Sequence, residues 1–166
     1  MGLVLLVLPP ALGPTASACA GTIVNVCGKF SFWVPDDWKA VTERRSSAER
    51  TTYQSADGAL SVVVGPLADK EANLSDEEVS DSIEEELDDV KVASDKSDKI
   101  DNFNIRRMDG TAEDDGDPVI FKALALDPGA AAAVLQVLVY GALEDMNRTD
   151  NEAVIERILR SLRPQP

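Results

Sequence analysis

The chain has 166 residues, enough for one hydrophobic core and too few to call for a second domain. Its 44% apolar content is that of a globular protein, which excludes a chain disordered throughout. With 30 acidic against 16 basic residues the formal charge is −14, which repels phosphate backbones and anionic membrane surfaces and argues against nucleic acid as a partner.

Leu3 to Leu8 form an apolar run that Pro9 and Pro10 end, and Ala16-Ser17-Ala18 follows with the small-x-small spacing of a signal-peptidase site. Residues 1–18 therefore read as a signal peptide; the run is far shorter than the roughly 20 apolar residues a membrane-spanning helix needs. No Lys or Arg precedes it, so the terminal amine supplies the positive charge or the true start lies upstream. Cleavage after Ala18 exposes Cys19, and two fates for that residue stay open. Ala16-Ser17-Ala18-Cys19 resembles a lipobox with Ala where Leu is usual, which would make Cys19 a lipid anchor. Alternatively Cys19 pairs with Cys27 in a disulfide, as suits an oxidising compartment. The two exclude each other, because a lipidated Cys19 has no thiol. Residues 19–28 then read as a tether, and 29–166 as the folded domain.

From Lys29 onward, Phe30, Phe32 and Val34 alternate with Ser31 and Trp33 as in a strand, which Pro35-Asp36-Asp37 ends in a turn. Trp33 lies on the opposite side of that strand from the apolar stripe. It either packs beneath a helix or offers a flat aromatic platform to a ligand or partner. A further strand is expected over Trp38 to Thr42. Thr51 to Gln54 and Ala59 to Val64 form a hairpin across Ser55-Ala56-Asp57-Gly58, where Gly58 can take the positive φ of a tight turn.

Ser75 is placed to cap a helix with Glu78 three residues on, and Val79, Ile83, Leu87 and Val90 repeat at one-turn spacing as its buried stripe. Asp88 and Asp89 would oppose the dipole at its end. Asp95 to Asp101 read as a solvated link, and Phe103 to Met108 resume a strand. Val119 to Leu126 and Val134 to Tyr140 are nearly continuous apolar runs, as in central strands covered on both faces, with a turn at Asp127-Pro128-Gly129. A last helix is expected to be capped by Thr149, with Glu152 three residues on. It buries Val154, Ile155, Ile158, Leu159 and Leu162 before Pro164 stops it. Arginines gather at Arg44, Arg45 and Arg50, and again at Arg157, Arg160 and Arg163; both groups read as solvated faces.

The chain contains no histidine, so serine triads and histidine-assisted cysteine nucleophiles are excluded. No serine stands three residues before a lysine, and no glycine-rich phosphate motif occurs. Asp109 to Asp117 invites a calcium reading. Aligning Gly116 with the glycine of an EF-hand loop, however, puts Thr111 in place of the first Asp and Lys122 in place of the bidentate Glu. That segment reads as a solvated strand connection. The Asn-x-Ser/Thr triplets at Asn73 and Asn147 overlap helix caps, which account for their Ser and Thr. No catalytic residue, metal site or cofactor is expected.

Phe32-Trp33-Val34-Pro35 and Trp38 near the start, Tyr53 to Gly58, Gly116-Asp117-Pro118-Val119, and Ile158 to Leu162 near the end together resemble the PsbP-like superfamily. Its bacterial relatives include the DcrB-like envelope lipoproteins. The resemblance covers about residues 29–163 and implies a single α+β domain, an antiparallel β-sheet sandwiched by helices, that serves as a binding or assembly module instead of an enzyme. Some relatives bind metal through histidine and carboxylates, and this chain has no histidine to offer. The expected function is that of an exported, non-enzymatic accessory or binding protein of the cell envelope. It would be periplasmic, or held at the membrane only through lipid on Cys19, and its partner would be a protein or a small apolar ligand. The alternative is a cytosolic adaptor that shields hydrophobic segments of a secreted client.

Overall fold

The computed structural model describes residues 20–26, 30–43, 50–67, 74–129 and 133–164. The leader, Cys19, Cys27, Arg44, Arg45 and Asn73 lie outside these residues, and so do the expectations attached to them. Strands β1 (Gly21–Val26), β2 (Phe30–Pro35) and β10 (Arg163–Pro164) form a small antiparallel sheet in the order β1-β2-β10. The large sheet contains β3 (Lys39–Glu43), β4 (Arg50–Gln54), β5 (Leu60–Pro66), β6 (Asp88–Ile100), β7 (Phe103–Asp114), β8 (Asp117–Asp127) and β9 (Leu135–Gly141). Its order is β3-β4-β5-β9-β8-β7-β6, and every pairing is antiparallel. Among the described residues three helices accompany the sheets: α1 (Asp76–Glu84), α2 (Leu143–Met146) and α3 (Thr149–Ser161).

The period of two sorts the large sheet into two apolar faces. Val62, Val64, Leu124 and Val137 form one core with Phe32 of β2 and Ile155, Ile158 and Leu162 at the end of the chain. Val63, Phe121, Ala123 and Leu138 form the other with Val79 and Ile83 of α1 and with Leu87. Central strands β5, β8 and β9 are thus covered on both sides, as their unbroken apolar runs require. An antiparallel sheet sandwiched by helices is what the resemblance to the PsbP-like superfamily implied.

Several local expectations change. The stretch 19–28, read as a tether, contains β1, which pairs in continuous register with β2 from Gly21↔Pro35 to Val26↔Phe30. Its residues, Gly-Thr-Ile-Val-Asn-Val, carry no regular alternation, and the strand is held by that pairing and by the packing of Val24 against the core. Ser75 does cap α1, its Oγ accepting from Glu78 N at 3.3 Å. The helix nevertheless ends at Glu84, with no basic residue in its last turn to meet the dipole. Leu87 stays buried, while Val90 belongs to β6. Residues 95–101, read as a link, lie mostly in the 13-residue β6 and reach the turn into β7. This strand lies at the sheet edge with most side chains in water, so it lacks the alternation that marks a half-buried strand. Two register shifts and the charges of Lys96 and Lys99 suit an edge that must not recruit another strand.

At the last helix the cap position belongs to Arg148, and Thr149 is the first helical residue. The short α2 immediately before it sets the chain direction there, and Asn151 Nδ2 donates to Asp145 O at 2.9 Å across the corner. Pro164 does end the helical run, but as part of β10. The small sheet is tied to α3 by Trp33 N, which donates to Ser161 Oγ at 2.7 Å, while that hydroxyl donates to Ile158 O at 2.8 Å.

The β4–β5 hairpin has the turn its residues suggest. Gly58 takes φ of 76°, and Asp57 Oδ1 accepts from Ser55 Oγ at 2.7 Å and from Ala59 N at 3.2 Å. The Ser55 hydroxyl, followed by the Ala59 amide, holds the Asp57 carboxyl below the usual aspartate range.

Candidate functional site

Trp33 is only 3% exposed. Its ring lies under Arg157, whose guanidinium carbon is 3.8 Å from the ring centroid, and its Nε1 is buried without a hydrogen-bond partner. Gly21 of β1 lies against the indole so closely that a Cβ there would come within 2.2 Å of Nε1. Of the two environments considered for Trp33, the packed one describes it, and it offers no open platform.

Of the first arginine group only Arg50 lies among the described residues. Arg50 is buried on β4 beneath α1, where its fork meets Glu86 Oε1 and Glu85 Oε2, each at 2.6 Å, and Ser82 Oγ at 3.1 Å. It is a cross-link between helix and sheet and not the solvated residue expected. Arg106 plays a comparable part at the start of α1. Its guanidinium meets Asp76 at 2.7 Å, grips both oxygens of Asp95 on β6, and donates to Leu74 O at 2.7 Å. The hydrogen bonds to Asp95 raise its pKa above the ordinary arginine value.

Only the tip of the acidic segment Asp109 to Asp117 is a connection. Asp109 to Asp114 belong to β7 and Asp117 to β8; Asp115 and Gly116, with φ of 52° and 88°, form the two-residue turn that favours Asp-Gly in antiparallel hairpins. Among the described residues no three ligating side chains gather in a way that could hold a metal ion.

The candidate site arises from strand lengths. β9 stops at Gly141, opposite Ile120, whereas the β7–β8 hairpin runs on to its Asp115-Gly116 tip and so overhangs the sheet. Beyond Gly141 the chain turns at Ala142, whose carbonyl accepts from Asp145 N and Met146 N at 3.1 and 2.9 Å, and α2 forms beside the overhang. Met146 is buried in the core, while Leu143 on the same short helix is 60% exposed. Between α2 and the hairpin lies a groove of about 820 Å³, with Thr111, Pro118, Ile120, Ala142 and Leu143 among its walls. The charged groups lining it are Asp89, Lys91, Glu113 and Glu144. A second depression, of about 440 Å³, lies near Leu74, Asn104 and Asp127 and has fewer apolar walls. The first has the size and apolar lining usual for a binding site.

Sequence reasoning assigned none of the groove residues to a binding site. Ile120 was read as part of a covered strand, and Leu143 fell in a segment given no element. The Asp115-Gly116 dipeptide between two β-rich runs was the signal that could have located the hairpin tip. A lone exposed leucine is too common to mark a site by itself.

No family model matches the chain, and no curated protein matches it in sequence. Solved structures do match in three dimensions. Cyanobacterial PsbP (CyanoP) from Synechocystis superposes with a TM-score of 0.62, covering 94% of this chain and 98% of that chain at 9% identity. The Ran-binding protein Mog1p of Saccharomyces cerevisiae gives 0.57, over 88% and 96% at 11% identity. LpqN of Mycobacterium tuberculosis, involved in cell envelope biogenesis, gives 0.53, over 90% and 88% at 14% identity. At such identities the likeness reaches the fold and stops short of the DcrB-like branch. From Phe32-Trp33-Val34-Pro35 in β2 to the end of α3, the chain has the PsbP-like fold.

Proposed function

We propose that this chain is a non-enzymatic accessory protein of the cell envelope, exported by its leader, that uses the groove between α2 and the β7–β8 hairpin to hold an apolar part of a protein partner. The observation that carries the reading is the groove itself: about 820 Å³, floored by the overhanging strands, with Leu143 exposed on its wall. Exposed apolar surface of this kind is costly to leave in water and marks contact sites on soluble domains. The neighbours support the same reading, since Mog1p is a Ran-binding protein and LpqN takes part in envelope biogenesis.

A short peptide with a Leu-Leu-Phe-Leu core and Gly-Ser flanks tests the binding role. Titrated against the labelled protein, it is expected to shift the amide resonances of Thr111, Ile120 and Leu143, and Leu143→Asp is expected to abolish the shifts. Shifts scattered over the surface, or unchanged in Leu143→Asp, would remove the groove from consideration.

Export has its own check. Intact mass of the protein recovered from the cells that make it is expected to show loss of residues 1–18, with the added mass of a diacylglycerol if Cys19 is lipidated. A soluble chain that retains Met1 would overturn export and favour the cytosolic adaptor.

A further inference from the structure

We propose that the groove's occupant is an apolar segment of a partner protein flanked by lysines or arginines. The inference rests on the reading of the groove as the binding site and adds the chemistry of what enters it. Pro118, Ile120, Ala142 and Leu143 offer aliphatic contact and suit leucine-like or aromatic side chains. Around them the charge is one-sided. Asp89, Glu113 and Glu144 line the groove against the single cation Lys91, whose ammonium lies 4.0 Å from the Asp89 carboxylate. Just beyond the lining, the hairpin tip adds exposed Asp115 and Asp117.

This arrangement selects among occupants. An anionic amphiphile such as a fatty acid would bring its carboxylate into a negative field, within a protein of formal charge −14. A second copy of this chain would bring the same acids to the interface, where like charges oppose association. A segment with cationic flanks places its apolar residues on Ile120 and Leu143 and its charges near Glu113 and Glu144. Such complementarity mainly speeds encounter and sets partner choice, while the apolar contact supplies the remaining affinity.

The test compares three short peptides with the same Leu-Leu-Phe-Leu core and flanks of Lys-Arg, Gly-Ser or Asp-Glu, by fluorescence anisotropy on the full chain. In dilute buffer the cationic peptide is expected to bind about tenfold more tightly than the neutral one, equivalent to about 1.4 kcal/mol. That preference is expected to collapse in 1 M salt, where the screening length falls to about 3 Å. Glu113→Lys with Glu144→Lys is expected to abolish or invert it. The same charge change on the outer surface of α1, Glu77→Lys with Asp81→Lys, is expected to leave most of it intact, which separates a local effect from attraction to the acidic protein as a whole. Equal binding of neutral and cationic peptides, or equal losses in the two double variants, would overturn the inference while leaving the groove as an apolar site. Failure of all three peptides to bind would remove both readings. An uncharged apolar dye bound in the groove to the exclusion of every peptide would replace the protein partner with a small apolar ligand.

Discussion

Replacing Arg50 by methionine is expected to lower the unfolding free energy by about 3–5 kcal/mol, the range for removing one partner of a buried ion pair. Arg50 is 5% exposed and its side chain is shared among Glu86, Glu85, Ser82 Oγ and Ser82 O. The two carboxylates are not equivalent. Glu85 is 43% exposed and can turn to water, whereas Glu86 is 8% exposed and would remain desolvated beside an apolar methionine. The loss would extend further, because Ser82 Oγ donates to Gln136 Oε1 at 2.5 Å and Gln136 Nε2 donates to Val79 O at 3.4 Å. Arg50 is therefore the outer member of a polar chain that fixes α1 over β9. Arg50→Lys keeps a charge but not the fork that meets two carboxylates at once, and is expected to fall between wild type and methionine. Urea melts measure these losses, and Glu86→Gln in the Arg50→Met background should recover part of the deficit by removing the stranded charge. A loss below about 1 kcal/mol for Arg50→Met, the scale of ordinary surface changes, would show that the network contributes little.

Trp33→Ala is expected to cost a similar amount, about 3–5 kcal/mol, because it empties a space closed by Gly21 below and Arg157 above. Trp33→Phe should cost much less than alanine, since it keeps most of the ring and removes an indole N–H that has no acceptor. Gly21 supplies an independent readout of the same packing. In wild type, Gly21→Ala drives its methyl into the indole, where a Cβ would lie 2.2 to 2.5 Å from three ring atoms; in the Trp33→Ala background that obstacle is gone. The second substitution should therefore be costly alone and nearly free in combination. Additive losses would mean that β1 does not pack against Trp33 as described.

How much of this was readable beforehand differs from element to element. Val62, Leu124 and Val137 lie in runs too apolar for any half-solvated strand, and they are the covered centre of the sheet. Ser75 capped a helix because a hydroxyl three residues before an amide satisfies it locally, and Gly58 took its positive φ because the hairpin needed it there. Thr149 failed as a cap although its motif was just as good, because the helical hydrogen bonds begin one residue earlier, with Glu152 N donating to Arg148 O. Val90 kept the helical spacing of Val79 and Ile83, yet it lies in β6, in the irregular stretch between the Asp88↔Glu113 and Lys91↔Thr111 pairs, beyond a helix whose last turn has no basic residue.

The sequence by itself determined the apolar strand interiors, the β4–β5 turn, the start of α1, the buried stripe of α3 and the acidic surface, since each follows from neighbours within a few residues. Only the tertiary structure decided that residues 21–26 are a strand, that Arg50 is buried, that Trp33 is covered and that Leu143 and Ile120 share a groove. Those facts depend on where one strand stops relative to another and on which charges meet across distant segments. Local periodicity carries no record of either.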